Sequence, residues 1–472
     1  MRTFASLIDL PSSDIFKPSD RQLHTYIIGQ PGTGKSRLLE SWIIQDILSG
    51  NGACVIDPHG DLYHNLLRRI ACIPEVWWKV ILIDPTSDKY SVNINPLRNS
   101  YGTTPERMAW FLSDIILKIW KLSPTNAPRM SWLMTNTFCA IADLGLTLLD
   151  IPRFLCNPAF RNDLLPALSN EATRNYFEFE FPKGQSAVYQ WVTPLLNKLG
   201  ELISDSAIRP MLANREGLDF GNLMDIGSIL LVNLPKGTIG EGPSSLLGAF
   251  IVGQIQKAAL ARTNQVNRKS FYLYLDEFQN YTTDNIKDIL SESRKYGLSL
   301  ILAHQYLDQL TPDIRSAVLN TSGTLVSFRI GYNDGRTLSK YIFPNPGYLT
   351  KSKVDLEMKK IMSMPYVGMR DRDTKLGWEG LAQVLSGLPT RQFWVRRRGS
   401  NQPIQCRSLD MHDIVQDREL DYRVRALIET SGQRYAARKC DPRDTPLPNA
   451  WRNASESSEV FPDKTDNSIW GS

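Results

Sequence analysis

The octapeptide Gly29-Gln30-Pro31-Gly32-Thr33-Gly34-Lys35-Ser36 constrains this chain more than any other stretch. It fits G-x-x-x-x-G-K-[ST], and both flanks have the character that pattern requires. His24-Thr25-Tyr26-Ile27-Ile28 before it is apolar and β-branched, which reads as a buried strand. Ser36-Arg37-Leu38-Leu39-Glu40-Ser41-Trp42-Ile43-Ile44 after it carries apolar residues at helical spacing. Strand, glycine-rich turn and helix let successive backbone N–H groups and a helix N-terminus surround a polyphosphate. The glycines are needed because a Cβ would block positive-φ turns and the close approach of phosphate oxygens. Gly29, Gln30, Pro31, Gly32, Thr33, Gly34, Lys35, Ser36 and Arg37 are therefore the expected nucleotide contacts. Lys35 is expected to reach the β- and γ-phosphates of ATP, and Ser36 to ligate Mg2+.

The chain after this loop alternates strands with helices. Residues 53–57 and 79–84 read as strands, and a helix between them runs through Arg69. Such alternation indicates an α/β fold with a mainly parallel sheet, whose ligands sit at the carboxyl ends of the strands. From 100 to 222 the strand-like runs vanish. Helical blocks at 106–121, 129–144, 161–169 and 185–203 follow one another, separated by prolines, which reads as an all-α insertion. The sheet resumes at 228–234, and Pro243 opens a further helix. Strands follow at 271–275, 298–303, 324–330 and 392–397, while 344–390 carries no clear pattern. The expected domains are a lead-in over 1–22, a first core part over 23–99, the all-α insertion over 100–222, a second core part over 223–432, and a disordered tail over 433–472.

At 472 residues the chain is long enough for two or three domains. Its net charge of +5 is mild, so nucleic-acid binding would need a local basic surface. The amino-terminal apolar run is too short for a signal peptide, and none approaches the ~20 residues of a membrane-spanning helix. The six cysteines are scattered without a C-x-x-C pair, which suits a reducing cytosol and argues against a zinc site.

Phe271-Tyr272-Leu273-Tyr274-Leu275-Asp276-Glu277 is an apolar strand ending in two acids, an expensive arrangement unless a cation sits there. With a phosphate loop upstream, Asp276 is expected to hold Mg2+ opposite Ser36. Glu277 is expected to orient and polarise the attacking water, because phosphoryl transfer needs positioning and charge stabilisation. Gln305, at the tip of the 299–303 run, is placed to donate to the γ-phosphate or to hold that water. Arg294 ends a helix before Gly297. It either satisfies the helix C-terminus or reaches a neighbouring subunit's γ-phosphate as an arginine finger, with Arg329 as a second candidate. Asp57-Pro58-His59-Gly60-Asp61-Leu62-Tyr63-His64 reads as a loop bordering the pocket, since a turn followed by a helix scatters its acids and histidines.

These motifs together resemble the HerA–FtsK class of P-loop ATPases, and most closely the conjugative DNA-transfer ATPases of the TraG/TraD coupling-protein type. The resemblance rests on Gly29–Ser36, Val55–Asp61, Leu231–Gly237, Leu275–Gln279, Ser293–Leu298, Ala303–Gln305 and Phe328–Gly331, and it covers residues 22–400. It implies a RecA-like core assembled as a ring homo-hexamer, ATP bound between subunits, DNA threaded through a central pore, and Arg294 acting in trans. Two departures stand out. Coupling proteins usually begin with membrane-spanning helices, and HerA proper carries an N-terminal β-barrel; neither is legible here. Cytoplasmic placement with docking at the inner membrane through partners is the expectation that fits.

Lys236 and the Arg396-Arg397-Arg398 cluster are the basic residues expected in loops that could face a DNA channel, although solvated charged loops read the same way. Three functions compete. The first is an ATP-driven DNA translocase in conjugation or type IV secretion; the second is a HerA-like motor in DNA processing or defence. The third is a nucleotide-gated platform whose helical insertion recruits a relaxase or secretion partner. Glu277 beside Asp276 argues against the third, because a pure switch has no need of a water-orienting acid.

Overall fold

The computed structural model describes residues 21–98, 103–265, 267–281, 285–349, 377–400, 402–408 and 417–438. The first half of the core reads β1 (Thr25–Ile28), α1 (Lys35–Leu48), β2 (Gly52–Asp57), α2 (Asp61–Ala71), β3 (Val80–Ile83) and the short β4 (Tyr90–Ser91). Among the described residues everything from there to β5 (Ile229–Asn233) is helical or irregular, its longest pieces being α3 (Pro105–Ile119), α4 (Pro128–Asp143) and α5 (Gln185–Ile203). Then come α6 (Glu241–Ala261), β6 (Phe271–Leu275), α7 (Asn285–Glu292), β7 (Leu298–His304), α8 (Pro312–Thr321) and β8 (Thr324–Ser327). The chain closes with α9 (Tyr332–Ile342), α10 (Trp378–Ser386), β9 (Gln392–Arg397), β10 (Ile404–Arg407), α11 (Arg418–Tyr435) and β11 (Ala437–Arg438).

Nine strands form one sheet in the order β10-β9-β8-β1-β7-β6-β2-β5-β3. All neighbours from β8 to β3 run parallel, and β9 and β10 are antiparallel. The fold is thus α/β with a mostly parallel sheet. Register sets the carboxyl ends level: Ile28 of β1 lies between His304 of β7 and Ser327 of β8, and Asp57 of β2 beside Asn233 of β5. Strands buried on both faces explain the near-continuous apolar runs in the sequence.

Side chains alternate across the sheet with the period of two that a strand imposes. Tyr26, Ile28, Cys54, Ile56, Phe271, Leu273 and Leu275 face a core shared with α3–α6. Ile27, Ala53, Val55, Tyr272 and Tyr274 face a second core with α1, α2 and α11. The insertion helices therefore cover one face of the sheet only. Pro105 and Pro128 open α3 and α4 at positions whose N–H has no intrahelical partner, so the prolines that separate these helices also start them. Gly253 of α6 lets α3 approach; a Cβ there would stand 2.7 Å from Phe111 and 2.9 Å from Ile115.

Three sequence expectations need correction. The helix around Pro243 begins at Glu241, with Pro243 still in the first turn, where its missing N–H breaks no bond. The strand expected over 324–330 stops at Ser327, because the next residues turn to meet the phosphate loop. Ordered chain continues past 433, through α11 to Tyr435 and on to β11, which pairs with β4; residues 439–472 lie outside the described residues. Small residues just before that expected boundary at 433 are packing positions. Ser431 Oγ accepts the Leu82 N–H at 3.0 Å, and Gly432 stands where any side chain would collide with the Tyr90 ring.

Arg21 enters the second core as a buried cation. Its guanidinium pairs with Asp46 at 2.9 Å, donates to Trp42 O and Tyr274 Oη, and the Tyr274 hydroxyl donates to Asp46. Removing one member of such a pair strands the other charge in an apolar interior. Asp46→Ala is expected to cost about 3–5 kcal/mol, read as a lower urea midpoint.

Candidate functional site

The loop after β1 is held from both neighbouring strands. Gly29 N–H donates to His304 O at 3.3 Å, and Gln30 N–H donates to Arg329 O at 2.8 Å. Thr33 Oγ1 turns back onto Gln30 O at 2.7 Å. Gly32 at φ 72° and Gly34 at φ 110° supply the left-handed turns that the sequence pattern demands. Gly34 is the N-cap of α1; no side chain caps this helix and no acid lies in its first turn. The first N–H groups of α1 are thus available to an anion, with the helix dipole favouring it. Ser36 is exposed at this end. Arg37 directs its guanidinium to Glu40 at 3.3 Å.

Lys35 is buried, and its ammonium donates to Gly29 O and Gln30 O. Burial lowers its pKa, and the charges of Glu277 and Asp276 oppose that shift. The reciprocal effect appears at Asp276. Burial pushes this carboxyl up to about 7, reinforced by Asp57 and Glu277 and countered by Lys35. The loop lysine and the acid pair thus lie within one another's electrostatic reach at the carboxyl edge, across the intervening β7. Asp276 N–H donates to Ile56 O, which fixes the tip of β6 against β2.

Glu277 sits in a left-handed conformation at φ 48°, uncommon for a residue with a side chain and a recurrent feature of functional positions. Its carboxylate is clasped on both oxygens. Gln305 Nε2 donates to Oε1 and Gln279 Nε2 to Oε2, each at 2.8 Å. Gln305, expected to donate to the γ-phosphate or to hold the attacking water, donates to the Glu277 carboxylate in this structure. The part played by Gln279 is missing from the sequence reading; a second amide two residues past an acid pair is the signal that could have shown it.

Asp57 is buried and accepts N–H groups from His59 at 2.8 Å and Tyr63 at 2.9 Å, so it caps α2 and tightens the turn at Gly60. Among the described residues no group of three or more His, Cys, Asp or Glu side chains could hold a metal ion. A divalent cation here would draw on Asp276, Ser36 and phosphate oxygens, the mixed set that Mg2+ favours. A buried acid flanked by two others fits that cation.

The other cationic candidates separate. Arg329 follows β8 at the loop's own edge, half-buried, with its carbonyl bound to Gln30. Arg294 is exposed at the amino end of β7, and its charge, after burial, helps push His24 down to about 4. The seven residues of β7 put it roughly 20 Å from the loop of its own chain. Lys236 binds Asn280 Oδ1 at 2.6 Å at the loop edge. Arg396 and Arg397 belong to strand β9 and not to a loop, Arg396 donating to Tyr341 O at 2.5 Å. Arg398 N–H meets Gly323 O at the opposite edge. Lys236 and the arginine cluster therefore do not line one surface.

The raised Asp276 pKa has a sign that can be tested. A carboxyl whose folded pKa lies above its unfolded value costs stability progressively as pH rises from the unfolded value through about 7, and the full cost is present above that. Asp276→Asn is expected to stabilise the ligand-free chain at pH 8 by roughly 1–2 kcal/mol, with the gain shrinking toward pH 5, measured by urea unfolding across pH.

A family model described as the TraM recognition site of TraD and TraG matches residues 270–338, the stretch from β6 and the acid pair into α9. No curated protein matches the chain in sequence. Solved structures do match in shape. The bacterial conjugative coupling protein TrwBdeltaN70 superimposes with a TM-score of 0.59 at 15% identity, over 84% of this chain and 88% of that one. The plasmid coupling protein TrwB in complex with ADP and Mg2+ gives 0.58 at 16% identity, over 85% and 89%. VirB4 of Thermoanaerobacter pseudethanolicus gives 0.50 at 13% identity, over 82% and 89%. At these identities the match establishes a shared RecA-like P-loop fold. In that fold, and in the segment around its acid-tipped strand, the chain resembles the TraG/TraD-type conjugative coupling ATPases.

Proposed function

We propose that this chain is an ATP-hydrolysing motor that binds ATP with Mg2+ and moves DNA in conjugative transfer or type IV secretion. The observation that carries the reading is the clasped Glu277, held on both carboxylate oxygens beside Asp276 and Lys35. A fixed carboxylate next to a cation-binding acid and a phosphate lysine suits the in-line attack of water on a γ-phosphate. The first-turn amides of α1 and the Lys35 ammonium would hold the phosphates, Lys35 exchanging its carbonyl partners for phosphate oxygens. Ser36 and Asp276 would hold Mg2+, which neutralises phosphate charge as the leaving group departs. Glu277 would accept the hydrogen bond of the attacking water, and Gln305 would fix that acid's orientation.

Arg294 supports a ring. It lies far from its own loop and exposed, so any role at a γ-phosphate must be played in a neighbouring subunit. The likeness to TrwB, a conjugative coupling protein, and the match to a TraM recognition segment favour a homo-hexamer that threads DNA and meets a relaxase or secretion component. Among the described residues no helix is long and apolar enough to cross a membrane. The likeness to coupling proteins supports a place in the cytoplasm, docked at the inner membrane through partners.

ATPase rate with and without DNA tests the reading. A motor is stimulated severalfold, whereas an unstimulated trickle indicates a docking platform. Lys35→Ala is expected to abolish ATP binding. Glu277→Gln is expected to keep binding and lose about 100-fold or more in turnover, the scale of a positioned general base; turnover at the parent rate would remove Glu277 from its role. Mass measurement with an ATP analogue and DNA present reads the ring.

A further inference from the structure

The β9–β10 hairpin brings two polar residues onto the phosphate loop that no motif announces. Arg391 N–H donates to Thr33 O at 2.8 Å, and Ser408 N–H donates to Arg391 O at 2.8 Å, which stitches hairpin to loop. A Cβ on Gly34 would stand 3.3 Å from Arg391 Cα, 3.4 Å from Ser408 Oγ and 3.5 Å from Arg391 Cγ. Ser408 is 3% exposed, and its hydroxyl has no hydrogen-bond partner. Such a group costs free energy unless something satisfies it. Arg391 holds φ 69°, a conformation glycine takes freely and an arginine only at a cost.

Sheet order says which part of a ligand would meet them. From β1, the acid pair lies two strands away in one direction, on β6 beyond β7; Arg391 and β9 lie two strands away in the other, beyond β8. A triphosphate whose γ end points to Asp276 and Glu277 must leave the loop with its nucleoside end toward β8 and β9. We infer that Arg391 and Ser408 form the second wall of the nucleotide site. The guanidinium donates to the ribose, and the Ser408 hydroxyl donates to the same end of the nucleotide. The arginine supplies hydrogen-bond donors to a part of the nucleotide that the lysine end does not reach, and the serine gains the partner it lacks.

This inference rests on the nucleotide reading above, and calorimetric titration of the full chain with Mg2+ and ATP, ADP or inorganic tripolyphosphate separates the two. Arg391→Gly keeps the backbone N–H and suits the left-handed turn; Arg391→Gln and Ser408→Ala complete the set. Both Arg391 variants are expected to bind ATP and ADP about tenfold more weakly and tripolyphosphate as the parent does, with Ser408→Ala showing a smaller loss of the same kind. Parent affinity for ATP in the Arg391 variants overturns the inference. So does an equal loss of tripolyphosphate, which would mean that the hairpin only shapes the loop. A parent chain that binds none of the three overturns the nucleotide reading itself.

Discussion

Lys35, Asp57, Asp276 and Glu277 crowd one edge of a sheet, and that crowding is the constraint on which the rest depends. An ammonium and three carboxyls withdrawn from water cannot each keep an independent charge. Each finds a different settlement. Asp57 is satisfied by two amides of the turn it caps, and Glu277 by the side-chain amides of Gln279 and Gln305. Lys35 turns to loop carbonyls. Asp276 receives the Glu277 N–H, yet burial and its acidic neighbours still hold its proton on to near neutrality. A site left in such imbalance is arranged for something that brings positive charge.

The surrounding architecture exists to keep that edge level. Parallel pairing fixes the ends of β1, β7 and β8 in register, and the hydrogen bonds of Gly29 and Gln30 convert register into loop shape. The insertion helices stay on one face, where Gly253 lets α6 meet α3, and so leave the loop edge to the core strands.

Much of this was legible in the sequence because it is local. The phosphate loop, the apolar strand ending at Asp276 and the proline-bounded helices each announce themselves within a dozen residues. What was not legible depends on contacts between distant segments. The packing roles of Ser431 and Gly432 are invisible in the sequence because their partners, Leu82 and Tyr90, lie some 340 positions away. Arg396 and Arg397 fall inside the strand expected over 392–397, yet their charge reads as a channel-facing cluster until antiparallel pairing with β8 places them. Gln279 could not be tied to Glu277 without knowing that the chain bends left-handed between them. Arg391 and Ser408 sit in a region whose pattern fades before β9, yet pairing alone carries them to the loop.

Ser431 carries a consequence of another kind. The sheet has β3 as one outer strand, and an outer strand ordinarily offers its unpaired amides to any passing chain. Here α11 lies along that border, and the serine hydroxyl accepts the Leu82 amide. Strand addition is thereby blocked on this side, so copies of the protein that gather there must recognise one another by side-chain shape and charge rather than by extending a common ladder.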